Sequence, residues 1–329
     1  MHPSFDLGFT TLPAYFSLLM FGFTLAVLLA HREGVRRGMD GNTILDNGLL
    51  MMVCGLVGSR VLHVFADGHF MDYVHLCTDP GQVTGLSLGV ARRCLNDAQC
   101  VQAGLGDLCD ASTGLCRQGQ DCLRVFKIWY GGYVYYGGLL LAVPVGIWFL
   151  ARRRTSVWAM ADLAGFGIPL GLVFGRLGCF LAGCCFGGTC DTPLGVAFPR
   201  WSPAWQAQVD SHSILPAAAA SLPVHATQLY EAVFCLIVFV WLYRRYRRGV
   251  RFVGENFFLF IGSYAVFRFA VEFIRADERG AWLGGALSTS QLISLPLLAW
   301  AVWVLLRRRS WPPEAAFPGA PAARPAAED

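Results

Sequence analysis

Apolar residues gather in long runs along this chain, separated by short polar or basic segments. Seven runs cover 10–30, 44–65, 129–150, 158–186, 226–243, 253–274 and 286–306. Each approaches the ~20 residues that an α-helix needs to cross a ~30 Å hydrocarbon core. The pattern predicts an all-α integral membrane protein of about seven transmembrane helices. The first, third and seventh runs carry no charge, whereas the other four contain ionisable residues.

The segments between runs alternate in character. His31–Arg37, Arg152–Arg154, Arg244–Arg251 and Arg307–Arg309 are basic and follow runs one, three, five and seven. Cytoplasmic loops collect Lys and Arg, so one topology fits all four: N-terminus outside, C-terminus in the cytoplasm. No basic leader with a small-residue cleavage site precedes the first run, and 7–30 reads as a retained span. The expected organisation is helices 1–2 over 1–65, an extracytoplasmic cysteine-rich insert over 66–128, and helices 3–4 over 129–186. A small extracytoplasmic cap over 187–225 and helices 5–7 over 226–309 follow. The Pro- and Ala-rich tail, 310–329, reads as disordered.

Composition agrees. Of the 329 residues 55% are hydrophobic and 15% charged, against about 25% charged in soluble domains. The net charge of +4 sits in clusters between apolar runs, which excludes a nucleic-acid-binding patch. Six of the 12 cysteines (Cys77, Cys94, Cys100, Cys109, Cys116 and Cys122) fall in the insert. Outside the cytoplasm an even set at close spacing predicts disulfides, here three with open connectivity. No CxxC pair supports a metal cluster there, and no cofactor or metal site is expected elsewhere.

Charges inside the apolar runs carry the chemistry. A charge near the bilayer centre costs at least about 2.5–3.5 kcal/mol, so it normally faces protein and marks function. At ~1.5 Å per residue, Arg60, Arg176, Arg268, Glu231 and Glu272 fall at similar depth in the outer half. Asp162 is the exception, near the inner end of run four. Three guanidiniums repel one another and two carboxylates balance them only partly. A phosphate-bearing ligand would complete the balance, because the guanidinium fork matches two oxygens. The plainer alternative is helix-tying Arg–Glu pairs, and Arg268 and Glu272 stand at i, i+4. Glycines crowd the same region: 131, 132, 137 and 138 around run three, and 171, 175, 178, 183, 187 and 188 through run four. They suit close helix packing, and also irregular backbone beside a cavity.

These motifs, in order, resemble the prolipoprotein diacylglyceryl transferase family. The resemblance is carried by Tyr15, Gly58-Ser59-Arg60, GGYVYYGGL (131–139), GRLGCFLAGCCFG (175–187), HATQLYE (225–231, similar to the family's HPSQLYE), GSYAVFRFAVEFIR (262–275) and LSTSQ (287–291). It implies a bacterial inner-membrane enzyme. Such an enzyme moves the diacylglyceryl group of phosphatidylglycerol to the lipobox cysteine of a prolipoprotein signal peptide, releasing glycerol phosphate. By the same resemblance, Tyr136, Glu231, Tyr264 and Arg268 are the candidate catalytic residues. Arg60, Arg176, Arg268, Gly187 and Tyr15 are candidates for phospholipid binding, with Cys179, His225, Glu272, Gly137 and Gly138 as supports.

Two departures stand out. Tyr136-Gly137-Gly138-Leu139 replaces the family's usual His-Gly-Gly-Leu, and a phenol with pKa near ~10 accepts protons poorly at neutral pH. Cys179 stands where Asn is usual, with Cys184, Cys185 and Cys190 following. The alternatives are therefore a paralogue with changed acceptor or lipid, a non-catalytic lipid-binding relative, and a thiol-redox protein, the last without the CxxC pair it would want. A transporter would spread its charges over several depths. The topology has a direct check: alkaline phosphatase, active only outside the cytoplasm, is expected to work when fused within 187–225 and to fail when fused after residue 309.

Overall fold

The computed structural model describes residues 4–6, 11–66, 68–79, 82–83, 96–103, 108–110, 115–117, 121–126, 133–275, 281–282 and 287–308. Among these, six helices are long and apolar enough to cross a membrane. They are α1 (Ala14–Arg36), α2 (Gly41–Ala66), α5 (Tyr135–Arg152), α6 (Val157–Ala182), α8 (Thr227–Arg248) and α10 (Thr289–Arg308). The sixth apolar run forms a further helix, α9 (Glu255–Val271), of 17 residues, at the lower limit for a span. Short helices α3 (Phe70–Thr78), α4 (Asp97–Ala103) and α7 (Pro203–Asp210) lie between the long ones. Among the described residues, sheet amounts to two-stranded pieces and isolated bridges. The chain is an all-α integral membrane protein.

Helix ends differ from the sequence expectation at the basic clusters. Most of His31–Arg37 belongs to the last turns of α1, and Arg244–Arg248 continues α8. Cations favour a helix C-terminus, and long basic side chains reach water without the backbone leaving the helix.

The chain divides into two compact units, Met1–Asp46 with Leu150–Asp329, and Asn47–Phe149. In the first, α6 is the central helix, packed by α1, α8 and α9, while α10 packs on α9. It is the most buried of the six long helices. Small residues allow this. A Cβ on Gly178 would lie 2.9 Å from Tyr15 Cα, and one on Gly165 would lie 2.7 Å from the Asn256 carbonyl carbon. Leu163, Phe166, Val238, Leu242, Tyr246 and Phe260 fill the core between these helices.

Asp162, the buried charge that stood apart in the sequence, has a structural task. Its carboxylate accepts from Gly254 N at 2.7 Å and from Asn256 N at 2.8 Å, capping the start of α9. Helix N-termini carry unpaired N–H groups and partial positive charge, so a buried carboxylate is suited to that position.

In the second unit α2 and α5 touch backbone to backbone. A Cβ built on Gly58 or on Gly137 would run into the other's carbonyl oxygen, and one on Gly138 would come 2.9 Å from Gly55 O. Gly137 and Gly138 therefore have a packing reason; Gly131 and Gly132 lie outside the described residues. In the insert, strands Leu108–Asp110 and Leu115–Arg117 pair antiparallel with Cys109 opposite Cys116. Disulfides join Cys77 to Cys122 and Cys100 to Cys116. Cys109 is also disulfide-bonded; Cys94 and the tail 310–329 lie outside the described residues.

The Asp162 cap generates a stability prediction. Asp162→Ala strands two buried N–H groups, at about 1–3 kcal/mol for each unsatisfied group. It is expected to lower the thermal unfolding midpoint in detergent more than Asp162→Asn, which keeps one acceptor oxygen.

Candidate active site

Four helix ends of the first unit meet around a polar centre. Arg176 lies near the C-terminal end of α6 and Glu231 near the N-terminal end of α8. Tyr264 and Arg268 approach the C-terminal end of α9, and Ser290 lies in the first turn of α10. Arg176 Nη2 is 2.8 Å from Glu231 Oε1, with the carboxylate side chain 1% exposed and the guanidinium 18%. Tyr264 OH donates to the same Oε1 at 2.7 Å. The second oxygen, Glu231 Oε2, is buried and has no hydrogen-bond partner among the described residues.

One turn further along α9, about 6 Å, Arg268 pairs with Glu272 at 2.8 Å. It also donates to Ser290 Oγ at 2.9 Å, reaching α10. The i, i+4 pairing foreseen as the plainer alternative is thus present. Arg176 and Arg268 each have a carboxylate, so the shortage of negative charge inferred from the sequence is smaller than the count of arginines suggested. Helix α9 aligns Tyr264 and Arg268 on one face, because residues four apart are neighbours.

The 183–188 loop beside this centre is tightly held. Gly183 ends α6 in the left-handed region at φ 75°. Cys184 N returns to Cys179 O at 3.1 Å. Thr227 Oγ1 donates to Cys185 O at 2.8 Å and Gln228 Nε2 to Cys184 O at 2.6 Å. Gly187 N donates to His225 O, and Gly188 N to Ile274 O, both at 2.8 Å. Gly187 has no room for a side chain: a Cβ would meet Ile274 O at 2.7 Å and His225 Cβ at 2.9 Å. His225 works through its backbone, while its ring nitrogen Nδ1 lies 3.2 Å from Tyr230 OH.

Tyr15 and Cys179 adjoin this centre, both within electrostatic reach of Arg176. Tyr15 lies against Gly178 of α6 and is 40% exposed. Buried Cys179 faces the Cys184–Cys185 turn. In the second unit, Arg60 is buried and donates to Val125 O at 3.0 Å and Arg124 O at 2.8 Å, fastening the chain that leaves the insert. Its guanidinium also lies 5.3 Å from the Tyr73 ring and 5.9 Å from the Tyr133 ring. Burial pushes both phenols above the ordinary tyrosine range, against the pull of that cation. Tyr136 is half exposed, its ring edge-on to Tyr135. Sequence reasoning passed over Thr227, Gln228 and Ser290; the first two stand inside the quoted HATQLYE motif and the third inside LSTSQ.

Fold and site together define a class: a polytopic membrane protein with a buried ion-pair centre where helix ends converge. A family model for prolipoprotein diacylglyceryl transferase matches residues 115–307, more than half of the chain, and the chain belongs to that family. It is similar to proteins named phosphatidylglycerol–prolipoprotein diacylglyceryl transferase from Solidesulfovibrio magneticus (34% identical over 192 residues, 56% of this chain), Geobacter sulfurreducens (34% over 190, 57%) and Nitratidesulfovibrio vulgaris (36% over 191, 56%). The chain spans just under two thirds of those relatives' own lengths, 65%, 66% and 64% respectively.

The Arg176–Glu231 pair has a measurable signature. Removing one partner of a buried pair leaves an uncompensated charge and destabilises by about 3–5 kcal/mol, whereas replacing both with apolar residues is often near neutral. Arg176→Met is expected to lower the detergent unfolding midpoint more than the double change Arg176→Met/Glu231→Leu.

Proposed function

We propose that this chain transfers the diacylglyceryl group of phosphatidylglycerol to the lipobox cysteine thiol of prolipoprotein signal peptides, in the bacterial inner membrane. The observation that carries this reading is Glu231: anchored through one oxygen by Arg176 and Tyr264, it keeps the other free to accept a proton. A thiol with pKa near ~8.5 is little ionised at neutral pH and needs a base. In the proposed step the thiol proton passes to Glu231 Oε2 and the thiolate attacks the glyceryl carbon. A C–S bond forms as the C–O bond to the phosphate breaks, and glycerol phosphate leaves with the bonding pair. Arg176 and Arg268 hold the phosphate and stabilise the charge developing on the leaving oxygen.

Tyr264 and Glu272 position these groups, and Tyr15 flanks them on α1. Cys179, Gly187 and His225 shape the adjoining loop. Gly137 and Gly138 set the α2–α5 contact, and Arg60 secures the end of the insert. The proton task falls to Glu231 because Tyr136, where the family usually has His, is a poor acceptor.

Orientation supports the same reading. The polar centre lies at the opposite ends of α8 and α10 from their basic C-terminal turns. With those turns in the cytoplasm and the C-terminus inside, the centre faces the outer leaflet, where the N-terminus also lies.

Complementation of a strain depleted of its own transferase tests the proposal, with mass spectrometry of a lipobox peptide incubated with phosphatidylglycerol. Wild type is expected to rescue growth and add a diacylglyceryl mass. Arg268→Ala and Glu231→Gln are expected to lose at least about two orders of magnitude in rate, the scale of a lost charge stabiliser or general base. Rescue by Tyr136→His but not by wild type would instead establish a relative with changed or lost chemistry.

A further inference from the structure

We propose that Cys179, Cys184 and Cys185 form a three-thiolate binding site for a thiophilic d10 cation of the zinc class. Sequence spacing gave no such sign, since the residues form no CxxC pair. The fold assembles them: Cys179 occupies the last turn of α6, Gly183 reverses the chain, and Cys184 and Cys185 come back over it. All three sulfurs lie within 4.8 Å of one another. Thiolates about 2.3 Å from one zinc ion sit roughly 3.8 Å apart, so small side-chain rotations suffice.

A disulfide does not satisfy this trio. Cys184 and Cys185 are consecutive, with Cα atoms held near ~3.8 Å by a trans peptide, short of the ~4.4–6.8 Å a bridge usually spans. Pairing Cys179 with either neighbour leaves the third thiol over. All three are free cysteines in the structure, whereas the described cysteines of the insert are bridged.

The surroundings suit a metal. Cys185 holds a positive φ of 64° without being glycine. Thr227 and Gln228 grip the carbonyls of Cys185 and Cys184, so the two thiols sit on a fixed turn rather than a loose loop. Gln228 is 1% exposed, and its Oε1 has no hydrogen-bond partner among the described residues. Three thiolates around a divalent ion leave one net negative charge. Arg176, at i−3 from Cys179 on the same helix and already paired with Glu231, lies near enough to lessen that charge. Soft sulfur donors select zinc or copper(I) and discriminate against magnesium and calcium. With three protein ligands, zinc takes its fourth from water or a further small ligand. By contrast Cys190, whose sulfur lies 3.0 Å from Thr192 Oγ1, and the buried Cys235 belong to no such group among the described residues.

Metal content tests this without reference to transfer activity, so its failure and failure of the transferase reading remain separate. The full chain is purified in detergent, dialysed against zinc and then metal-free buffer, and assayed by elemental mass spectrometry. The metal-depleted chain is titrated with cadmium while the sulfur-to-cadmium charge-transfer band is followed. About one zinc per chain is expected, with a band saturating near one equivalent. Both are expected to be lost in Cys184→Ser/Cys185→Ser and kept in Cys54→Ser. Cys179→Asn installs the residue usual in the family and keeps the comparison informative if the double variant fails to fold; it too is expected to lose the metal. A wild-type chain without zinc or band, a band that survives Cys179→Asn, or a disulfide within the trio by peptide mapping would overturn the proposal.

Discussion

A guanidinium and a carboxylate buried together among lipid-facing helices set the terms for this structure. Arg176 and Glu231 come from helices separated by the whole 183–226 segment, and a buried charge left without its partner is strongly destabilising. Their meeting requires α6 and α8 to be in contact, and Tyr264 ties α9 to the same carboxylate oxygen. The Arg268–Glu272 pair extends the network by one turn and, through Ser290, engages α10. Charge pairing thus decides which helix ends converge, and apolar packing along α6 supplies the close approach that makes pairing possible.

Close approach in turn rests on missing side chains. Hydrocarbon tails are as apolar as Leu or Val, so helices in a membrane gain little from burying such residues against each other. Gly165 and Gly178 let neighbouring backbones press against α6, and Gly58 and Gly137 do the same for α2 and α5. Gly187 serves a related purpose in irregular structure, where the loop after α6, His225 just ahead of α8 and Ile274 just past α9 exchange backbone hydrogen bonds. Non-helical backbone at such a place must find its partners within protein, and here it finds them among helix termini.

The insert obeys different physics. Its described elements are short, with little apolar surface to bury, and covalent bridges take the part that packing plays elsewhere. Cys77–Cys122 joins the end of α3 to the segment that leads back toward α5. Arg60 acts on that same returning segment, through carbonyl oxygens of Arg124 and Val125.

The alternation of apolar runs and basic clusters determined the helical membrane architecture, because lipid thickness and backbone satisfaction leave few other solutions for runs of that length. The ordered motifs determined the family, and the density of cysteines in 66–128 determined that bridges would form there. What a linear pattern could not contain was the partner of each charge. Arg176 pairs with Glu231 on a different helix, Asp162 caps α9, and Arg60 turns to backbone carbonyls, choices made by helix contacts far apart in sequence. The i, i+4 spacing made Arg268–Glu272 readable, since one helix fixes that geometry by itself. The Cys179–Cys184–Cys185 cluster was decided by tertiary structure, because only a helix end, a left-handed glycine and two clamping side chains from α8 fold those sulfurs onto one another.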